Sequence, residues 1–397
     1  MRKIVYKDLN TLLDMYLQNF KVAEMQKSWN ELRQTYPVLT FFPISIEEIL
    51  TAPYASLVVW YKYFINRNLH KNNSLCDNLK KLFNYDNKDS KGYQPVITAF
   101  FIKAAHIGVI DISVCHYCET AYVNGFIVDK DTIKKELLYK LNHAPEGDLT
   151  TLLKLENRHQ ASINAIISYR IRHPFTSIEE FSNFWISKSL RPLRDIHYWK
   201  EHLDPQEELK SHFDVDHALD KGKCPLIALS LMNFVPSCQV CNRILKHSKI
   251  LGDYVKRDPL PHLSPTSPDY DFDHNVRISL RFNRTDSHDV IEEMNESEDL
   301  NNCELVFDIK DKSYNWLLSI FRLRERYQFH KGEAIKWHNL KRKYDRHHIE
   351  LIADAFKDIG NGDFSYEKIE EDIFQEKYDM IRRPVLKKLK SDILMDR

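Results

Sequence analysis

Glycine is scarce in this sequence, nine residues among 397, which argues against a strand-rich chain punctuated by tight turns. Long apolar runs are missing as well. The longest, such as Ser56 to Tyr61, fall far short of the about 20 residues that span a bilayer, and the opening MRKIVYKDLN has no apolar signal core. These absences predict a soluble, cytoplasmic protein with no membrane partner. Net charge is absent too, with 57 Lys and Arg against 57 Asp and Glu. No global electrostatic case for nucleic acid follows, so any phosphate-binding surface must be local. Internal repeats and low-complexity tracts are likewise missing.

What is present suits a folded chain of two or three domains: 43% hydrophobic residues, with 20 Tyr and 21 Phe, fill real cores. Apolar residues three and four apart predict helices over much of 1–105 and 129–205. One of these carries Ile163, Ile166, Ile167, Tyr169 and Ile171 and ends before Pro174. Alternation at Ile278, Leu280, Phe282 and at Cys303, Leu305, Phe307, Ile309 predicts two half-buried strands, joined by an acidic loop around Glu292 to Asp299. Helices follow from about Ser313. Pro259, Pro261, Pro265 and Pro268 can neither continue a helix nor sit in a central strand, so a linker is expected there. The fold class is mainly α (α+β). The expected divisions are 1–105, 106–128, 129–205, 206–255, a linker at 256–275, and 276–397 with a small strand pair and then helices.

Seven cysteines, an odd count in a chain without an export signal, fit a reducing compartment where thiols serve as metal ligands. Cys115-His116-Tyr117-Cys118 and Cys238-Gln239-Val240-Cys241 are two C-x-x-C pairs, a spacing that lets two thiolates of one turn reach the same tetrahedral zinc. Chance placement gives roughly 0.1 such pairs in a chain of this kind. Four thiolates close the coordination shell, which makes such a zinc structural. The alternative is two unrelated pairs of buried or redox thiols. Cys76, Cys224 and Cys303 have no partner at ligand spacing and are read as small core residues.

Around the second pair lie Asp214-Val215-Asp216-His217, then Asn233, then Asn242-Arg243-Ile244-Leu245-Lys246. Hydrolysis of a phosphodiester needs a deprotonated water, a countercharge for the transition state and help for the leaving oxygen. His217, with an ordinary pKa near 6.5, is suited to take the proton. Asp216 and the Asn242 amide are hard oxygen donors for magnesium or manganese. Asn233 is suited to pinning the loop that carries His217. Lys246, four residues after Asn242 on a helix, and Arg243 are candidate phosphate contacts. Asp216 and His217 are adjacent, so a regular strand would turn them to opposite faces, and a bend or bulge is expected. Leu229 to Val235 reads as the returning strand and Gln239 to Lys249 as a helix.

In type and spacing these residues resemble the HNH, or ββα-metal, nuclease family, including the HNH domain of RNA-guided CRISPR nucleases. The resemblance spans Asp214 to Lys249 plus the distant first cysteine pair. It implies an embedded ββα-metal domain in which Asp216 and Asn242 bind the metal, His217 is the general base and Asn233 supports the loop. It also implies that Cys115, Cys118, Cys238 and Cys241 brace the core with zinc. Two positions depart: Asp220 stands where a proline is often found, and the usual lysine is displaced to Lys246. An HNH core followed by a helical tail with Arg324-Glu325-Arg326-Tyr327 is also similar to nuclease subunits of bacterial anti-phage systems, such as Septu and some retrons. That likeness implies antiviral defence and an ATPase or other regulatory partner.

The expected substrate is DNA, with RNA as the alternative for a toxin using the same centre. The rival of another class is a zinc-braced nucleic-acid-binding adaptor without turnover. From Arg322 to Arg346, nine Lys or Arg face three acids. Trp337, Leu340 and Tyr344 interleave at helical spacing, so the stretch reads equally as a phosphate-tracking surface or a solvated helix. The shorter run Arg382 to Lys390 reads as a solvated face.

Overall fold

The computed structural model describes residues 1–86, 92–153, 159–190, 207–253, 258–282, 300, 303–356, 365–374 and 385–395. The acidic loop Glu292 to Asp299 and the start of the basic run at Arg382 lie outside them. The described chain is mostly helical, with four two-stranded sheets. Among the described residues no helix is long and apolar enough to cross a membrane.

The chain divides into two compact units, 1–124 with 211–397, and 125–210. The second is a helical unit with its own core. Helices α7 (Lys130–His143), α8 (Glu146–Leu152), α9 (Gln160–Arg172) and α10 (Ile178–Ser187) bury Leu141, Leu149, Ile163, Ile166, Phe181 and Trp185 together. Two helices start at side-chain caps, Asp129 accepting from Thr132 N and Ser177 from Glu180 N. Strands β1 (Gly125–Val128) and β2 (Glu208–Ser211) pair at the two ends of the segment.

In the first unit, six α-helices among the described residues precede the first cysteine pair: α1 (Leu9–Leu17), α2 (Val22–Thr35), α3 (Ile46–Thr51), α4 (Tyr54–Asn66), α5 (Asn73–Leu82) and α6 (Gln94–His106). Their apolar stripes bury Tyr16, Trp29, Tyr54, Phe64, Phe83 and Phe101. Caps at Asp8, Ser45 and Asn72 start three of them. This block holds the site's backbone: Tyr16 donates its hydroxyl to Leu229 O (2.6 Å), and Ser230 donates to Ile49 O (2.7 Å).

Three antiparallel strand pairs are described in the rest of this unit. Strands β3 (Asp214–His217) and β4 (Phe234–Ser237) pair from Asp214↔Ser237 to His217↔Phe234. The two-residue strands β5 (Gly252–Asp253) and β6 (Asp258–Pro259) form a small clasp, where Gly252 leaves no room for a Cβ against the Asp258 backbone. Strands β7 (Val276–Phe282) and β8 (Cys303–Ile309) pair throughout, burying Val276, Ile278, Cys303 and Leu305. The helix Leu323–Gln328 packs on β8, where Gln328 holds both backbone groups of Leu305.

The proline-rich stretch differs from the linker expected at 256–275. Leu263, Ser264, Thr266, Ser267, Tyr270 and Phe272 are buried, and Thr266 donates to Met232 O (2.7 Å). Proline stops regular structure there without exposing the chain, because side-chain hydroxyls bond the backbone instead.

Candidate functional site

The hairpin β3–β4 is followed by a π-helical turn, Val240–Lys246, closed by His247 N to Asn242 O. The ladder through Asp216 and His217 is unbroken, with no bulge between them. Their side chains therefore take opposite faces, and both faces are buried. The return also differs from expectation. Leu231–Asn233 is a 3-10 turn, and β4 begins only at Phe234. An apolar run buried on all sides need not be a strand when Ser230 and Asn233 supply turn-stabilising bonds.

Asp214 and Asp216, two apart on one strand, meet the π-helical turn. Arg243 grips Asp214 in a bidentate pair (2.6 and 2.7 Å), and Asn242 donates to the same carboxylate at 3.2 Å. Lys246 sets its ammonium on Asp216, 3.0 Å from Oδ2 and 3.3 Å from Oδ1, and donates to His217 O at 2.6 Å. Lys246, expected at a phosphate, is thus turned inward, with side-chain exposures of 2% for the lysine and 5% for the aspartate. Arg243 is mostly exposed, but its fork is engaged by Asp214.

A further donor to Asp216 comes from inside the first cysteine pair. Tyr117 donates its hydroxyl to Oδ2 at 2.6 Å, and its ring stacks on Phe321. Burial raises the Asp216 pKa, and the Lys246 charge opposes that rise. Burial also raises the Tyr117 pKa well above its ordinary value, reinforced by the Asp216 charge, so the phenol stays a donor.

His217 packs edge-on against Tyr85 (4.5 Å between ring centres) and Phe234 (4.9 Å). Its Nε2 lies 2.9 Å from Ala228 O. Burial pushes its pKa down to about 3, against which the carbonyl bond works only partly. Asn233 is fully buried; its Oδ1 accepts from Leu219 N (2.7 Å), and its Nδ2 donates to Leu219 O and Ile227 O. One side chain thereby clamps both ends of the loop 219–227.

The sulfurs of Cys115, Cys118, Cys238 and Cys241 all lie within 4.8 Å of one another and are buried. Zinc–sulfur bonds of about 2.3 Å in a tetrahedron set sulfurs about 3.8 Å apart, so the cluster is compatible with zinc. Cys238 N donates to Cys115 Sγ and Thr120 Oγ1 to Cys118 Sγ. Arg326 reaches Cys241 Sγ (3.3 Å) and Thr120 Oγ1 (2.8 Å), and Tyr327 donates to Cys118 O. His116 faces away from the sulfurs, its Nδ1 3.1 Å from Arg2 O. The other cysteines, Cys76, Cys224 and Cys303, are buried outside this cluster.

Sequence reasoning missed four participants. Asp214 was legible, since i and i+2 on a strand share a face. Tyr117, Tyr85 and Arg326 were not, because each reaches the site from another part of the fold. Arg326 and Tyr327 also remove part of the basic stretch from the surface. Leu340 and Tyr344 pack against the cluster containing Ile349 and Ile369, as a core face does.

No protein-family model, curated protein or solved structure matches this chain.

Proposed function

We propose that the chain is a metal-dependent endonuclease of the HNH, or ββα-metal, type that hydrolyses phosphodiester bonds of DNA. The observation that carries the proposal is the orientation of His217, whose Nε2 rests on Ala228 O. A carbonyl oxygen only accepts, so the Nε2 facing Ala228 O bears the ring proton. Nδ1 is then the lone-pair nitrogen. Burial keeps the ring neutral at pH 7, the form that can accept a proton, and by lowering its pKa to about 3 also makes it a weaker acceptor than an ordinary imidazole. Asn233 and Ala228 fix that ring from the loop, and Tyr85 and Phe234 exclude water from its faces.

Asp216 and the Asn242 amide fit magnesium or manganese, being hard oxygen donors. In this fold the cation that Asp216 faces is the Lys246 ammonium. A bound ion would polarise the scissile phosphate and stabilise the leaving oxygen. Lys246 must yield its hold on Asp216 for that ion to seat. The four cysteines hold a structural zinc, and Arg326 offsets the excess negative charge of four thiolates around a dication. By the resemblance in Asp214 to Lys249 and in the helical tail, the setting is anti-phage defence, with an ATPase or other partner licensing the cut.

A second reading, a zinc-braced nucleic-acid adaptor without turnover, is favoured by one observation: Asp216 is already engaged by Tyr117 and Lys246. Nicking of supercoiled plasmid separates the two. Wild type and His217→Ala, matched for zinc content, are compared with magnesium and with manganese. Metal-dependent nicking lost in the variant is expected; equal nicking by both proteins refutes the assignment of His217, and none by wild type favours the adaptor. RNA replaces plasmid in a parallel reaction to separate the toxin alternative.

A further inference from the structure

A cleft of about 300 Å³ opens beside His217, lined by Lys80, Lys81, Tyr85 and Asp86 from the end of α5 onward, and by Lys221 and Ala228 from the loop after β3. It shares two walls with the candidate base. Ala228 supplies the carbonyl on which His217 Nε2 rests, and the Tyr85 ring packs edge-on to the imidazole. We propose that this cleft is a nucleic-acid backbone subsite that seats a phosphate flanking the scissile one. It rests on the reading of His217 as the base of a phosphodiester hydrolase.

Charge carries the argument. Three ammonium groups line the cleft against one carboxylate, in a chain whose cations and anions otherwise balance. They come from two stretches about 140 positions apart that only the fold brings together. Lys80 is paired with Asp77 at 3.3 Å on the surface, and Lys221 with Asp86. The exposed Lys80–Asp77 pair is a weak one, so a phosphate oxygen displaces its carboxylate readily. Lys221 also lies 4.8 Å over the Tyr85 ring, and burial lowers its pKa to about 8. An ammonium that has already lost part of its water gains most from an arriving anion.

The lining also tells what kind of anion fits. Lysines are point charges without the fixed fork of arginine, so they follow a backbone and do not select one planar acid. Tyr85 has Lys221 over its ring and stacks on Phe234, with His217 packed edge-on, so it offers no open face for a base to stack on. The subsite therefore holds phosphate irrespective of sequence.

The test is equilibrium binding of a fluorescein-labelled DNA duplex to the full chain, without added divalent metal, across a salt series. Wild type is compared with Lys80→Ala/Lys81→Ala and with a charge-matched control in the other unit, Lys135→Ala/Lys140→Ala. Each lost phosphate contact lowers the slope of log K against log salt by about 0.9. The cleft seats one phosphate, so the cleft variant is expected to lose roughly 0.9 from the slope and the control nothing. An unchanged slope in the cleft variant, or an equal loss in the control, overturns the proposal. Lysine-dependent binding by a protein that never nicks plasmid supports the cleft and sinks the nuclease reading. Nicking by a protein whose slope ignores these lysines sinks the cleft alone.

Discussion

Replacing Lys246 by methionine keeps the volume and removes the charge that Asp216 faces. The pair is nearly dry, and the ammonium serves both carboxylate oxygens and the His217 carbonyl. Breaking a buried pair by removing one partner costs about 3–5 kcal/mol. Protonation sets a ceiling on that cost, because neutralising a carboxyl of ordinary pKa near 3.9 at pH 7 takes about 4 kcal/mol. The expected loss is therefore about 3–4 kcal/mol, or roughly 6–16 °C in melting temperature at about 2–4 °C per kcal/mol. The sign with pH follows from the raised Asp216 pKa. A carboxyl raised in the fold contributes stability below its unfolded pKa and loses it as pH rises, and removing Lys246 raises it further. Acidifying below pH 7 should thus recover part of the variant's loss relative to wild type. Adding Asp216→Asn should return more than half of the stability, since a buried pair replaced by neutral groups is often tolerated. The assay is thermal melting of zinc-matched proteins without magnesium. A Lys246→Met protein melting within 1 °C of wild type, or a double variant melting below it, refutes the reasoning.

Two further outcomes follow from the same geometry. His217 has its pKa depressed to about 3 against an ordinary 6.5, so the unfolded chain takes up a proton that the native ring does not. Its stability contribution falls as pH drops through 6.5 towards 3, by up to about 1.4 kcal/mol per unit. Buried His116, likewise lowered to about 3, adds a slope of its own, so between pH 6.5 and 5.5 denaturant titrations should show His217→Gln losing about 1 kcal/mol less than wild type, and parallel slopes would show that burial does not suppress the ring's protonation. Cys118→Ser should lower zinc below one ion per chain and destabilise the first unit by several kcal/mol, out of the roughly 10–16 kcal/mol such a site supplies. Full zinc content with an unchanged melt in that variant would exclude Cys118 as a ligand.

Much of the helical content was legible because apolar spacing of three and four is set by the helix itself, as at Ile163 and Ile166 in α9. The strand pair of Val276 and Cys303 was legible from alternation for the same reason. The cysteine cluster needed only the doubled spacing, and the sulfurs do converge. What failed was local inference about fully buried backbone. Leu231–Asn233 and the segment after Pro259 are held by side-chain bonds to distant carbonyls, which leave no period in the sequence. The inward turn of Lys246 was hidden because spacing gives the face of a helix and not what opposes it. Tyr117 looked like an ordinary aromatic between two cysteines until the fold set Asp216 against its hydroxyl.

The two halves of the sulfur cluster stand 120 positions apart, and the whole helical unit 125–210 lies on the chain between them. Such a clasp is a long-range closure, and its entropy depends weakly on what is threaded through it. Doubling the length of the enclosed segment costs only about 0.6 kcal/mol. The chain between the knuckles is thus free to lengthen, shorten or be exchanged in evolution while the core that ties it off stays the same. The same closure delays assembly, because neither knuckle is complete until the intervening chain has been made and the ends have met.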